Sequence, residues 1–280
     1  MKEICQETII KEVKRLCMEA NYVLPMDVQK ALQDAYTKED SLIGQQTLEV
    51  LNKNASIASC TSSPICQDTG MACVFVEIGQ DVHVQGSLNE AIHEGVRQGY
   101  QEGYLRKSVV DDPMFDRINT KDNTPAIIHY EIVEGDQLKI IVAPKGFGSE
   151  NMSQVKMLKP SDGVQGVKDF VLKVVNDAGP NACPPMVIGV GIGGSFDCVT
   201  LLAKKAMLRE IGTHHPDQRY QALEEELLEK INQTGIGPAG YGGKTTALSL
   251  NIETHPTHIA GMPVAVSICC HVARHKEVIL

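Results

Sequence analysis

Nine cysteines are scattered through the 280 residues, and three of them stand where a thiol can do chemistry. Cys66 lies in the turn-rich stretch Pro64-Ile65-Cys66-Gln67-Asp68-Thr69-Gly70, just ahead of an apolar run. Cys183 lies in Asn181-Ala182-Cys183-Pro184-Pro185, where two prolines restrict the backbone before another apolar run. Cys270 closes a third apolar run and is followed by His271 and Arg274. Element ends are where a rigid scaffold presents functional groups. Thiolates so placed are of the kind that hold zinc or iron–sulfur clusters, yet these three lie far apart, unlike the compact C-x₂-C patterns of such sites. Spacing alone favours three inert thiols over a cluster. Cys73 and Cys198 fall inside a predicted strand and a predicted helix, and read as core thiols.

The elements that must position these residues follow from periodicity. Ile9, Val13, Leu16, Cys17 and Ala20 repeat at helical spacing, and shorter amphipathic runs follow over Val28–Ala35 and Leu42–Leu51. Residues 72–78 read as a buried strand and 88–105 as a helix weakened at Gly99 and Gly103. AIIHYEIV and QLKIIVA, joined through Glu134-Gly135-Asp136, predict a hairpin. Helices are expected over 161–178, 196–211 and 217–232, with strands at 186–192 and on both sides of THPTHIAG. The expectation is one α/β domain over 1–280, with mixed sheets, surrounding helices and a helical N-terminal layer over 1–55. The net charge of −9 argues against a general nucleic-acid binder. No apolar run reaches the roughly 18 residues of a membrane span. The first residues mix acids and bases without the apolar core of an export signal. An odd cysteine count adds to the expectation of a reducing, cytoplasmic setting.

Two glycine motifs invite a nucleotide reading. Gly189-Val190-Gly191-Ile192-Gly193-Gly194 fits G-x-G-x-x-G, but Glu210 falls at the end of the following helix and not at the tip of a second strand. Close helix–strand packing is the better reading. Gly242-Gly243-Lys244-Thr245 resembles the end of a P-loop, but Pro238 stands where the first glycine belongs and a strand-like pattern follows. An anion-binding loop remains open there.

Three separate stretches, CQDTG, NACPP with GVGIGGSFD, and PTHIAGMPVAVSICCHVARH, occur in the order found in one family. The chain resembles the alpha subunit of the class I fumarate hydratase and L-tartrate dehydratase family over about Asp40–His275. DPMFDRINTKDNTPAIIHYEIVEGD and APKGFGSEN look closer to the fumarase branch. The resemblance implies a [4Fe–4S] cluster held by Cys66, Cys183 and Cys270, with one iron not ligated by cysteine. Cys269 leaves an ambiguity beside Cys270; strand alternation puts the two thiols on opposite faces. An iron without a thiolate is an open Lewis acid, suited to removing hydroxide without redox change.

The same resemblance implies Arg117 and Gln67 as substrate contacts and Asp68 and His258 as catalytic groups. A guanidinium grips a carboxylate bidentately, which a lysine cannot. Gly146 and Gly148 offer backbone N–H groups to an anion, and Lys244 is a further anion contact. The sequence contains no counterpart of the C-terminal domain that completes the site in single-chain members. A separate beta subunit in an α₂β₂ heterotetramer is therefore expected, acting on fumarate and malate. Tartrate or citramalate/mesaconate dehydration is the nearest alternative. A non-catalytic iron–sulfur or redox-sensing protein is the alternative of another class, and it leaves Arg117, Gln67 and His258 without a role.

Overall fold

The helical periodicity near the N-terminus closes one face of a helix: Ile9, Val13, Leu16, Cys17 and Ala20 are all buried. The computed structural model describes residues 2–280. In chain order its elements are β1 (Lys2–Cys5), α1 (Gln6–Tyr22), α2 (Met26–Lys38), α3 (Leu42–Thr61), β2 (Met71–Gly79) and β3 (Val82–Gln85). There follow α4 (Leu88–Glu102), β4 (Ile127–Val133), β5 (Leu138–Lys145), the single turn α5 (Phe147–Glu150), β6 (Gln154–Leu158) and α6 (Gly163–Ala178). The last are β7 (Met186–Gly193), α7 (Phe196–Ala206), α8 (Gln218–Asn232), β8 (Ala247–His255), β9 (Met262–Cys269) and β10 (Lys276–Ile279). This is the α/β fold with mixed sheets and a helical N-terminal segment that the pattern predicts. The short β1, which pairs in parallel with β3, is absent from that pattern. The chain divides into two compact units, and the N-terminal helices are shared between them.

The first unit comprises Met1–Pro25, Asn54–Phe147 and Arg274–Leu280. Its sheet runs β10-β5-β2-β4, and its core joins α1 and α4 to the strands through Ile9, Val13, Val74, Val76, Ile92, Val96 and Ile140. A Cβ on Gly95 would lie 2.6 Å from Val13 Cβ, and one on Gly99 2.8 Å from Cys17 Cβ. Gly99, which reads as a weak point in the sequence, and Gly95 therefore let α4 lie directly against α1. The predicted hairpin does not form. β2 inserts between β4 and β5, parallel to the first and antiparallel to the second. The connection through Gly135 crosses the end of β2, where Asp81 N donates to Gly135 O at 2.9 Å. The turn residues do turn the chain there, but a central strand from elsewhere takes both partners.

The second unit comprises Met26–Lys53 and Gly148–Ala273, with sheet order β6-β9-β7-β8. Alternation along β7 turns Ile188 and Val190 into the core with α6 and α8. Gly189 and Gly191 face α7: a Cβ there would lie 2.0 Å from Ala203 O or 2.2 Å from Val199 O. The dinucleotide-like motif is a helix–strand packing device. α7 ends at Ala206, short of the predicted Ile211, in tightened turns from Met207 N to Lys204 O (3.2 Å) and Leu208 N to Lys205 O (2.9 Å). Beyond it, Ile211 N donates to Asp27 on α2 at 2.8 Å, a contact that periodicity cannot foresee.

Candidate active site

In the first unit the CQDTG loop is held by its carbonyls. Arg274 Nη2 donates to Asp68 O at 2.7 Å. The hydroxyl of buried Tyr100 reaches Thr69 O (2.9 Å) and Gly70 O (3.0 Å), and buried Asn123 Nδ2 also donates to Gly70 O (3.2 Å). Burial pushes the Tyr100 pKa well up, so its hydroxyl remains a donor. Gly70 sits at φ +76, and a Cβ there would lie 2.6 Å from the Lys145 carbonyl carbon; no other residue fits. The carboxylate of Asp68 accepts from Gly70 N (3.0 Å) and Phe147 N (2.9 Å), tying the CQDTG loop to the PKGFG turn. A Cβ on Gly146 would lie 3.1 Å from Asp68 Oδ2. Cys66, half-buried, accepts Asp68 N–H at its sulfur (3.4 Å), and its thiol donates to Gln67 Oε1 at 3.4 Å. The structure thus brings Cys66, Gln67, Asp68 and Gly146 together.

Arg117 belongs to the same unit but to a separate projection. Val110 and Asn119 bridge, and the turn between them is capped by Asp112, whose carboxylate accepts from Met114 N, Phe115 N and Asp116 N. The backbone bond from Asp116 leads several that hold the Asp112 pKa below the usual carboxylate range. Arg117 is exposed at φ +48 and donates to Pro113 O. Among the described residues no hydrogen bond or ion pair joins it to Gln67 or Asp68.

In the second unit Cys183 and the segment after Cys270 meet. Cys183 is exposed and left-handed (φ 52, ψ 61), at the end of a short 3₁₀ turn. Its carbonyl accepts from His271 N (3.4 Å) and lies 3.1 Å from His271 Nδ1. His271 therefore shapes this corner. Cys269 is buried in the ladder opposite Val187, while Cys270 lies past the strand end and is half-buried. His258 is exposed in the loop after β8, and its Nδ1 accepts from Ala260 N at 3.1 Å. The neutral ring then carries its proton on Nε2, as a donor. The loop is pinned to the residue that follows β7: Gly194 O accepts from Thr257 Oγ1 (2.9 Å). Gly148 is the second residue of α5, with open space where a Cβ would stand.

The GGKT loop does bind an anion, and that anion is the protein's own. The carboxylate of Glu39, 2% exposed, accepts from Lys244 N (2.8 Å), Thr245 N (3.3 Å), Asp40 N (3.2 Å) and Ser41 N (3.1 Å). Lys244 Nζ pairs with Asp40 at 2.6 Å, and both side chains are exposed. Among the described residues no three His, Cys, Asp or Glu side chains converge on a single-ion position. A cubane makes a different demand, because each thiolate binds its own iron. Three thiols at element ends, one of them receiving a backbone N–H, suit that donor chemistry.

A family model described as Fumarate hydratase (Fumerase) matches residues 10–279. The chain belongs to this family. A protein named "Putative L(+)-tartrate dehydratase subunit alpha" from Methanocaldococcus jannaschii is 45% identical over 263 residues, 92% of each chain. The L(+)-tartrate dehydratase subunit alpha of Escherichia coli K12 is 33% identical over 261 residues, 92% of this chain and 86% of the relative. Its Shigella sonnei counterpart matches to the same extent. As a member of the fumarate hydratase family, the chain is a hydro-lyase, a carbon–oxygen lyase. The relatives carry the name of tartrate. No helix among the described residues is long and apolar enough to cross a membrane. Sequence reasoning missed Arg274, Tyr100 and Asn123, which hold the CQDTG loop, and Glu39, which fills the GGKT loop.

Proposed function

We propose that this chain is the alpha subunit of an iron–sulfur hydro-lyase that interconverts L-malate and fumarate, with the whole chain acting as one catalytic domain. The observation that carries the reading is the CQDTG loop, which sets Cys66, Gln67 and Asp68 side by side with all three carbonyls of residues 68–70 held by buried side chains. Catalytic groups fixed in advance lose no energy to reorganisation during the reaction. Cys66, Cys183 and Cys270 are the ligands we assign to a [4Fe–4S] cluster. When bound, that cluster supplies a Lewis-acid position for the departing hydroxide.

Dehydration breaks the C2–O bond of malate and removes a proton from C3; water leaves and the double bond forms between the two carbons. Arg117 grips one substrate carboxylate through paired N–H groups. Gln67 donates its amide N–H, and the N–H groups near Gly146 and Gly148 face the anion. His258 offers Nε2–H to the substrate, and Asp68 is this chain's candidate for proton transfer. Lys244 contributes only when it exchanges Asp40 for substrate, an inexpensive exchange for an exposed pair. A beta subunit, in an α₂β₂ assembly, supplies the rest of the dicarboxylate cradle; the names of the relatives support this by calling them alpha subunits. A reducing cytoplasm suits such a cluster. The same names favour a second reading, L-tartrate dehydration by the same groups.

The test is to reconstitute the chain anaerobically with iron and sulfide, add its beta subunit, and follow product absorbance with malate, L-tartrate and citramalate. Iron-dependent fumarate formation that is lost in air supports the first reading. Turnover of tartrate alone selects the second, and malate turnover without iron would sink the mechanism.

A further inference from the structure

The two four-stranded sheets have four edges, and three of them are protected. β10 is four residues long and carries Lys276 and Glu277. β6 is five residues long and carries Lys156. β8 is covered by side chains: Asn232 Oδ1 accepts Ala247 N (2.9 Å), Glu224 Oε1 accepts Ile252 N (2.7 Å), and Arg209 donates to Ile252 O (3.1 Å). Short length, lysines and capped backbone groups are the ordinary means of keeping a strand edge from pairing with another chain.

β4 has none of these. It is seven residues, IIHYEIV, with no lysine, no proline and no register break against β2. Ile127 (40%), Tyr130 (44%) and Ile132 (72%) are exposed. The Val133 carbonyl accepts Gln80 N, which continues the β2 side of the ladder. Alternation then turns the N–H and C=O groups of Ile128, Tyr130 and Ile132 toward the open edge.

We propose that β4 pairs antiparallel with β4 of a second copy of this chain, about a two-fold axis at Tyr130. The sequence of the strand is self-complementary in that register. Ile127 falls opposite Val133, Ile128 opposite Ile132, Tyr130 opposite itself, and His129 opposite Glu131, an acid–base pair made twice by the symmetry. The outward groups meet outward groups, so about six backbone hydrogen bonds close the seam and the two four-stranded sheets become one. A shift of one residue would set outward groups against inward ones. The pairing holds whichever hydroxy acid is the substrate.

Hydrogen-bonded antiparallel partners have Cα atoms about 5.5 Å apart, within disulfide reach. The full chain with Tyr130→Cys should therefore form a covalent dimer on mild oxidation, beyond the background that wild type, with exposed Cys5, Cys60 and Cys183, sets. Adding Ile132→Lys should abolish the crosslink. By sedimentation the wild-type chain should have twice the chain mass at tens of micromolar, and the Ile132→Lys chain a single mass with an unchanged circular dichroism spectrum. Amides of 126–133 should exchange slowly in wild type, and faster on dilution. If Ile132→Lys fails to fold, the crosslink and the exchange of wild type decide. A single-chain wild type, slow exchange in a single-chain species, or a larger assembly in which Tyr130→Cys forms no crosslink would each overturn the proposal.

Discussion

Removing one oxygen atom, by Tyr100→Phe, should loosen the CQDTG loop without opening a cavity. The hydroxyl serves Thr69 O and Gly70 O, and Gly70 O keeps its bond from Asn123. The loss therefore falls on the Thr69 carbonyl. A buried carbonyl deprived of its donor costs about 1–3 kcal/mol. With a urea m-value of about 3 kcal/mol per M, the midpoint should fall by roughly 0.3–1 M. Burial raises the Tyr100 pKa, so its contribution is present in full below the unfolded value of about 10 and is lost only as pH rises beyond it. The loss in the variant should thus be the same at pH 6 as at pH 8. Urea unfolding followed by far-ultraviolet circular dichroism measures it. Tyr22→Phe is the control: its hydroxyl donates to Gly103 O at 2.8 Å from a half-buried position, and the loss there should stay below about 1 kcal/mol. Cluster content and turnover should fall in Tyr100→Phe and not in Tyr22→Phe. A Tyr100→Phe midpoint equal to wild type, with unchanged cluster content, would refute the view that this hydroxyl positions the loop.

Three further outcomes follow. Gly191→Ala drives a Cβ to 2.2 Å from Val199 O and should destabilise the chain by about 3 kcal/mol or more, seen as loss of soluble protein, with no nucleotide affinity to lose. Arg117→Lys should raise KM roughly 10- to 100-fold, since one point charge replaces a bidentate fork, and should leave the unfolding midpoint unchanged because the side chain is exposed. The Asp122 pKa is lowered to about 2: burial, the largest single influence, raises it, but hydrogen bonds led by those from Thr124 and Arg97 outweigh burial. Its stabilisation is complete above the unfolded value near 4 and is lost as pH falls toward 2, so acid titration of Asp122→Asn should lack that part of the wild-type stability loss.

Much of this was legible in the sequence wherever the cause is local. The apolar stripe of α1, the buried β7 and the helix α8 follow from periodicity, and the misplaced Glu210 and Pro238 were enough to discount both nucleotide motifs. What escaped depends on partners distant in sequence. β4 and β5 carry the pattern of a hairpin, and only β2, far upstream, parts them. Gly95 and Gly99 gain their meaning from Val13 and Cys17 on another helix. Tyr100, Asn123 and Arg274 act on backbone carbonyls of residues 68–70, and a carbonyl has no residue type for a pattern to detect. Glu39 looks like any surface acid until the GGKT backbone is folded around it. The candidate site residues carry the family resemblance in their motifs, whereas Cys66 and Asp68 are held by contacts that only the folded chain makes.

The most direct test of the central claim is the iron and acid-labile sulfide content of the anaerobically reconstituted chain and its single cysteine variants. Cys66→Ala, Cys183→Ala and Cys270→Ala should each lose the cluster, while Cys269→Ala should keep about four irons and four sulfides per chain, as in wild type. Full cluster content in any of the first three, or its loss in Cys269→Ala alone, would contradict the assignment.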